Sequence, residues 1–99
     1  MNQLVLSARI AEASALRYTP AGLPAFDCRL EHESEIAEAA QIRQVKVAIK
    51  AVAFGSTAET LVRQPIGSTW RFTGFLATPR NGKHAVFHIQ SFVQANQSA

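Results

Sequence analysis

Apolar and polar residues alternate with a period of two along most of this chain, and that pattern limits its fold more than any other feature. Successive side chains on a strand point to opposite faces, so strict alternation marks strands with one buried face. Leu4, Leu6, Ala8 and Ile10 share one parity against Ser7 and Arg9, which predicts a first strand over about residues 3–11. Phe26, Cys28, Leu30 and His32 then face one way, with Asp27, Arg29, Glu31 and Glu33 facing the other. Between these runs, Thr19–Pro24 is turn chemistry: two prolines fix φ and Gly22 is free to take a positive φ.

Residues 34–41 have poor strand propensity and acidic character, which predicts a mobile loop or a helical turn. A third strand is expected at about 42–53, with Val45, Val47, Ile49 and Ala51 inward and Gln44, Lys46, Ala48 and Lys50 outward. Ser56 stands three residues before Glu59, the spacing of a capping box, so a short helix is expected over about 57–63, closed by Pro65 and Gly67. Trp70, Phe72 and Leu76 carry a fourth strand at about 68–77, where Gly74 marks a bulge or bend. Pro79–Lys83 is a hairpin tip signalled by Asn81-Gly82. In the last strand, at about 84–94, parity changes between Ile89 and Phe92, which places a bulge near Gln90. The polar residues 94–99 are expected to fray.

Five strands with one short helix between the third and fourth, in an all-β chain of 99 residues, is the pattern of an OB-fold, a five-stranded Greek-key barrel. SH3-like barrels and other small β-domains share parts of it. The whole of 1–99 is expected to be a single OB-fold domain.

Charge is unevenly spread. Residues 42–99 carry Arg43, Lys46, Lys50, Arg63, Arg71, Arg80 and Lys83 against Glu59, whereas six of the seven acids precede them. A domain polarised in this way has a face suited to anions, and polyphosphate backbones are the commonest large anions. Cys28 is the only cysteine, so no intramolecular disulfide forms and a reducing compartment is expected. No secretory leader pattern and no apolar run approaching ~20 residues is present, which predicts a cytoplasmic protein that does not engage a membrane.

The chain resembles primosomal replication protein N, the PriB family of bacterial replication restart. The resemblance is carried by Leu4-Val5-Leu6-Ser7, by Leu16-Arg17 with Pro20, Gly22 and Pro24, and by Leu30-Glu31-His32. It continues through Arg43-Gln44, Gly74-Phe75, Asn81-Gly82 and Val86-x-His88. It implies a homodimeric OB-fold, related to single-stranded DNA-binding proteins, that binds single-stranded DNA and helps assemble the primosome with the restart helicase. Better-known members carry an aromatic where this chain has Lys46, and a longer, more lysine-rich loop than Thr78–Lys83.

Single strands are held by cations that follow the phosphates and by aromatics that stack the bases. Lys46 and Lys50 are four apart on one strand face, about 13 Å or two nucleotide steps. Arg80 and Lys83 flank a hairpin tip able to close over a strand, and Arg17 approaches from the first hairpin. Tyr18 and Phe75 are the stacking candidates, while Phe26, Trp70, Phe72 and Phe87 have core parity and Phe54 is expected to pack under the helix. No catalytic constellation is visible. His84 and His88 would sit about 13 Å apart on a strand, too far for one metal ion. Cys28 is expected to be buried and inert, and His32 to be a satisfied core or interface residue. The expected function is therefore non-enzymatic and needs no cofactor: a primosome accessory protein that bridges single-stranded DNA and the helicase. The alternative is a protein–protein adaptor with weak, incidental nucleic-acid binding, its acidic 31–38 segment docking a basic partner.

Overall fold

Ten residues of the first strand serve two different neighbours, and that sharing closes the barrel. The computed structural model describes residues 1–94. Strand β1 (Leu4–Ala13) pairs antiparallel with β5 (Thr69–Ala77) from Leu4 to Arg9, and with β3 (Pro24–Glu38) from Arg9 to Ala13. β3 pairs with β4 (Gln41–Phe54). β6 (Val86–Gln94) pairs antiparallel with β5, and through Phe87–Ile89 it runs parallel to Ala51–Ala53 of β4. The closed circuit β1-β5-β6-β4-β3-β1 is the five-stranded barrel that the alternation predicts. A two-residue strand β2 (Arg17–Tyr18) adds to the edge of β3.

The barrel is filled from the inward parities. Ile10, Leu30, Phe72 and Phe87 are at most 1% exposed, and Phe26, Cys28, Ala51 and Ile89 join them. Each large side chain so buried contributes roughly 1.5–3 kcal/mol. Trp70 is only half-buried; its ring meets Phe92 edge-on and its indole N–H donates to Ser68 Oγ at 2.9 Å. Helix α1 (Ser56–Leu61) packs on this core through Ala58 and Leu61.

The β5–β6 seam holds the bulge expected near Gln90. Thr73 pairs with Ser91 but Gly74 pairs with Ile89, so Gln90 is the extra residue. The extra residue is why Phe87 and Phe92, of opposite parity, both reach apolar surroundings. The backbones approach so closely there that a Cβ on Gly74 would lie 1.8 Å from the His88 carbonyl oxygen.

Three expectations are overturned. Residues 34–41 are neither a mobile loop nor a helical turn: β3 and β4 run through them as a continuous hairpin closed at Ala39-Ala40. Both alanines have positive φ, 53° and 63°, as a two-residue turn matching the strand twist demands. The capping box does not form either. Gly55 is the N-cap, with φ 68° and ψ −141°, and no side chain caps the helix, so α1 begins at Ser56 and ends at Leu61. Finally, Val47 is exposed and Val45 only half-buried, because the hairpin leaves the barrel beyond Ile49. This ribbon, about 26 Å from Glu31 to the tip at ~3.3 Å per residue, helps stretch the longest axis to 50 Å. Residues 95–99, most of the polar tail expected to fray, lie outside those described.

Candidate nucleic-acid interface

Ion pairing sorts the cations into two groups. Arg9 meets Glu31 at 2.5 Å, and Arg29 meets Glu31 at 2.6 Å and Glu12 at 3.0 Å. Arg17 binds Asp27 through two contacts of 2.5 and 3.2 Å, and Arg43 meets Glu38 at 2.6 Å. Four of the seven acids are thereby neutralised by four arginines. Arg29 first, then Arg9, holds the Glu31 carboxyl below the usual range, and Asp27 holds Arg17 above its own. Lys46, Lys50, Arg63, Arg71, Arg80 and Lys83 make no ion pair among the described residues. The outer face of β1 and β3 is thus a self-compensated charge network, and the uncompensated positive charge lies beyond it.

Register places these groups on the outer barrel surface. Arg29 pairs with Lys50 and Asp27 with Val52, so all four point outward with Arg17, which shares the face of its partner Ala25. A groove of about 440 Å³ runs between Ala48–Lys50 of β4 and the segment Pro79–Val86, lined by Lys50, Lys83 and His84. A second hollow, of about 480 Å³, shares Lys50 and Val86 and continues towards Glu12, Asp27 and Arg29. The two form one channel across β3 and β4, between the first hairpin connection and the β5–β6 tip. An OB-fold takes oligonucleotides on this face and between these two loops.

The residues expected from sequence divide accordingly. Lys50 and Lys83 meet in the groove. Arg80 is exposed at the neighbouring tip, whose turn is closed by Gly82 N–H donating to Pro79 O at 2.9 Å. Lys46 lies on the same strand face but in a separate hollow, opposite Glu33 across the β3–β4 ladder. Arg17 is held by Asp27 at the rim. Tyr18, 63% exposed, has the opposite parity to Arg17 and does not join Phe75.

Phe75 instead stacks on His88, ring centroids 4.8 Å apart and planes 16° apart. Phe54 stands on the other side of His88 at 6.0 Å. It is 38% exposed rather than packed under the helix, because its parity on β4 is that of Lys46 and Lys50. His88 and Phe54 were missed as site residues by their residue types alone. The available signal was parity: both are outward, out of step with Phe87, Ile89, Ala51 and Ala53.

His32 is half-buried and satisfied, with Nδ1 donating to Ser7 O at 2.5 Å and Nε2 hydrogen-bonded to the Ser34 hydroxyl at 2.8 Å. Burial, and secondarily Asp27, pushes the Cys28 thiol up to about 12, so it stays protonated and poorly nucleophilic. Among the described residues no group of three or more His, Cys, Asp or Glu is placed to hold a metal ion, and no helix is long and apolar enough to cross a membrane.

Residues 2–91 match the model of a family described as another single-strand binding protein family. Replication restart protein PriB of Bordetella pertussis is 47% identical over 91 residues, covering 91% of this chain and 85% of that protein. The structure of PriB from Ralstonia solanacearum superposes with a TM-score of 0.87 at 38% identity, covering 96% of this chain and 98% of that one. The SSB domain of a Synechococcus protein shares the fold, with a TM-score of 0.73 at 20% identity and 93% of each chain covered.

Proposed function

The chain belongs to the PriB family of single-strand binding proteins, and on that premise we propose that it binds single-stranded DNA as an accessory protein of replication restart. The observation that carries the reading is the convergence of uncompensated Lys50 and Lys83, with Arg80 close by, on the OB-fold's oligonucleotide face. Phosphates run past Lys50 and Lys83, with Lys46 and Arg80 extending the track. The compensated network of β1 and β3 forms a neutral bank that neither attracts nor repels the strand. The protein holds DNA without transforming it, needs no cofactor and works in the cytoplasm as a homodimer. The uncovered Val5, Ile36, Ile42 and Val47 supply apolar surface for a second copy. The same assembly presents the strand to the restart helicase.

Each phosphate contact on a single strand contributes about −0.7 to the slope of log affinity against log salt. Four contacts give about −2.8, so raising salt from 50 to 200 mM weakens binding about 50-fold. The test is anisotropy of a labelled oligo-dT across that range. Lys50→Ala with Lys83→Ala should reduce the slope to about −1.4, a sevenfold loss over the same interval. Lys46→Ala should change it less, since Glu33 faces it. An unchanged slope in the double variant rules out the groove. Absence of binding below ~100 μM at physiological salt favours the adaptor reading, in which the acidic ribbon, whose Glu33 and Glu35 make no ion pair among the described residues, docks a basic protein.

A further inference from the structure

We propose that Phe75, His88 and Phe54 form a stacking platform for a nucleobase of the bound strand. The platform rests on the single-strand-binding reading above and names the residues that receive the base.

Register makes the three residues neighbours. His88 pairs with Phe75 across the β5–β6 ladder and with Val52 across the parallel β4–β6 ladder. Phe54 lies two residues beyond Val52 on the same face of β4. The rings follow that order, Phe75 stacked on His88 and Phe54 tilted at 34° to it. None of the three enters the barrel core. Lone exposed rings are common on protein surfaces, but adjacent rings sharing one outer sheet face mark a binding surface. Val52, outward between them, is only 6% exposed, so the platform has a closed apolar floor.

The surroundings select the occupant. Lys50 lies on the same face two residues before Val52, about 7 Å along the strand and half the two-nucleotide span separating Lys46 from Lys50. A base on the rings therefore leaves its phosphate within reach of Lys50. The nearest carboxylate of the row, Asp27, is already engaged by Arg17 and does not repel a polyanion. Of the other rings among the described residues, His84 lines the groove beside Lys83, Tyr18 has the opposite parity to Arg17, and Trp70 is tied to Phe92 and Ser68. Stacking on a flat ring discriminates little among bases, so the platform adds affinity without sequence preference.

An abasic oligonucleotide of equal length separates stacking from phosphate binding, because it keeps the phosphates and lacks the bases. The parent should favour oligo-dT over the abasic strand by about tenfold or more. Phe54→Ser with His88→Ser should abolish that preference and leave the salt slope intact. In a Phe54→Trp variant, oligo-dT should quench the new indole fluorescence and the abasic strand should not. Preference and quenching that survive or fail independently of these residues overturn the platform while leaving DNA binding in place. Failure of the parent to bind either strand overturns the function itself. Dissociation of a parent dimer by the serine substitutions, read by sedimentation, assigns the rings to a second copy and also overturns the platform.

Discussion

Gly74→Ala tests the seam on which both barrel and site depend. The added Cβ would lie 1.8 Å from the His88 carbonyl oxygen and 2.9 Å from both the His88 carbonyl carbon and Phe87 Cε1. A comfortable carbon–oxygen contact is about 3.3 Å, so the β5 and β6 backbones must separate by about 1.5 Å. Two of these atoms are backbone within a ladder, and the third belongs to a fully buried ring, so no flexible side chain absorbs the shift. Overpacking of this kind costs about 1–3 kcal/mol, and disruption of the adjacent ladder brings the expected loss to about 3 kcal/mol or more. For a domain of this length that lowers Tm by roughly 12–24 °C. Circular dichroism melts and urea titrations read it directly. Gly67→Ala is the control, since Gly67 has a φ of 91° but open space around its Cβ position, leaving backbone strain without a clash. A Gly74→Ala protein within about 1 kcal/mol of the parent, below the overpacking range, would refute the close approach. Because His88 carries the ring beneath Phe75, the same substitution should also weaken oligonucleotide binding in whatever fraction remains folded.

Two further outcomes are expected. The Glu31 carboxyl is held below its unfolded value by Arg29 and Arg9, so the folded state releases its proton more readily than the unfolded chain. Stability from this group is therefore present above the ordinary Glu range and is lost as pH falls through the lower folded-state pKa. The urea midpoint should fall on acidification, and Glu31→Gln should flatten that part of the profile. At the hairpin tip, Ala39→Asn with Ala40→Gly fits residues that accept positive φ and relieves roughly 1 kcal/mol of strain. Because the ribbon stands clear of the barrel, the gain should appear as about fivefold slower amide exchange over residues 36–44.

Strand parity made the barrel legible in the sequence, and it failed where the structure supplies no partner. Phe26, Leu30, Phe72 and Phe87 are buried as their alternation requires, and the parity break before Phe92 correctly marked Gln90. Val45 and Val47 keep the same alternation, yet they lie on a ribbon outside the barrel. The turn at Ala39-Ala40 carries none of the Gly or Asn that positive φ favours, so register with β3 rather than local propensity fixes it. In the candidate site, Lys50 and Lys83 are visible as cations, whereas the ion pair of Arg17 with Asp27 and the placing of Lys46 opposite Glu33 depend on pairing across strands. Nearness in sequence puts Phe54 under the helix, whereas its own parity on β4 points outward.

The proposed path of single-stranded DNA runs along the channel over β3 and β4, between the first hairpin and the β5–β6 tip, and onto the ring platform of β4 and β6. Titrating oligo-dT into isotope-labelled protein while following backbone amide shifts tests it most directly. Saturable shifts are expected at Lys50–Phe54, Pro79–Val86 and His88, with Glu59–Arg63 and the Val5–Arg71–Val93 face unmoved. Shifts centred on α1, on the acidic ribbon at Glu33–Glu38 or on the Val5–Arg71–Val93 face, with the β4–β6 surface silent, would contradict it.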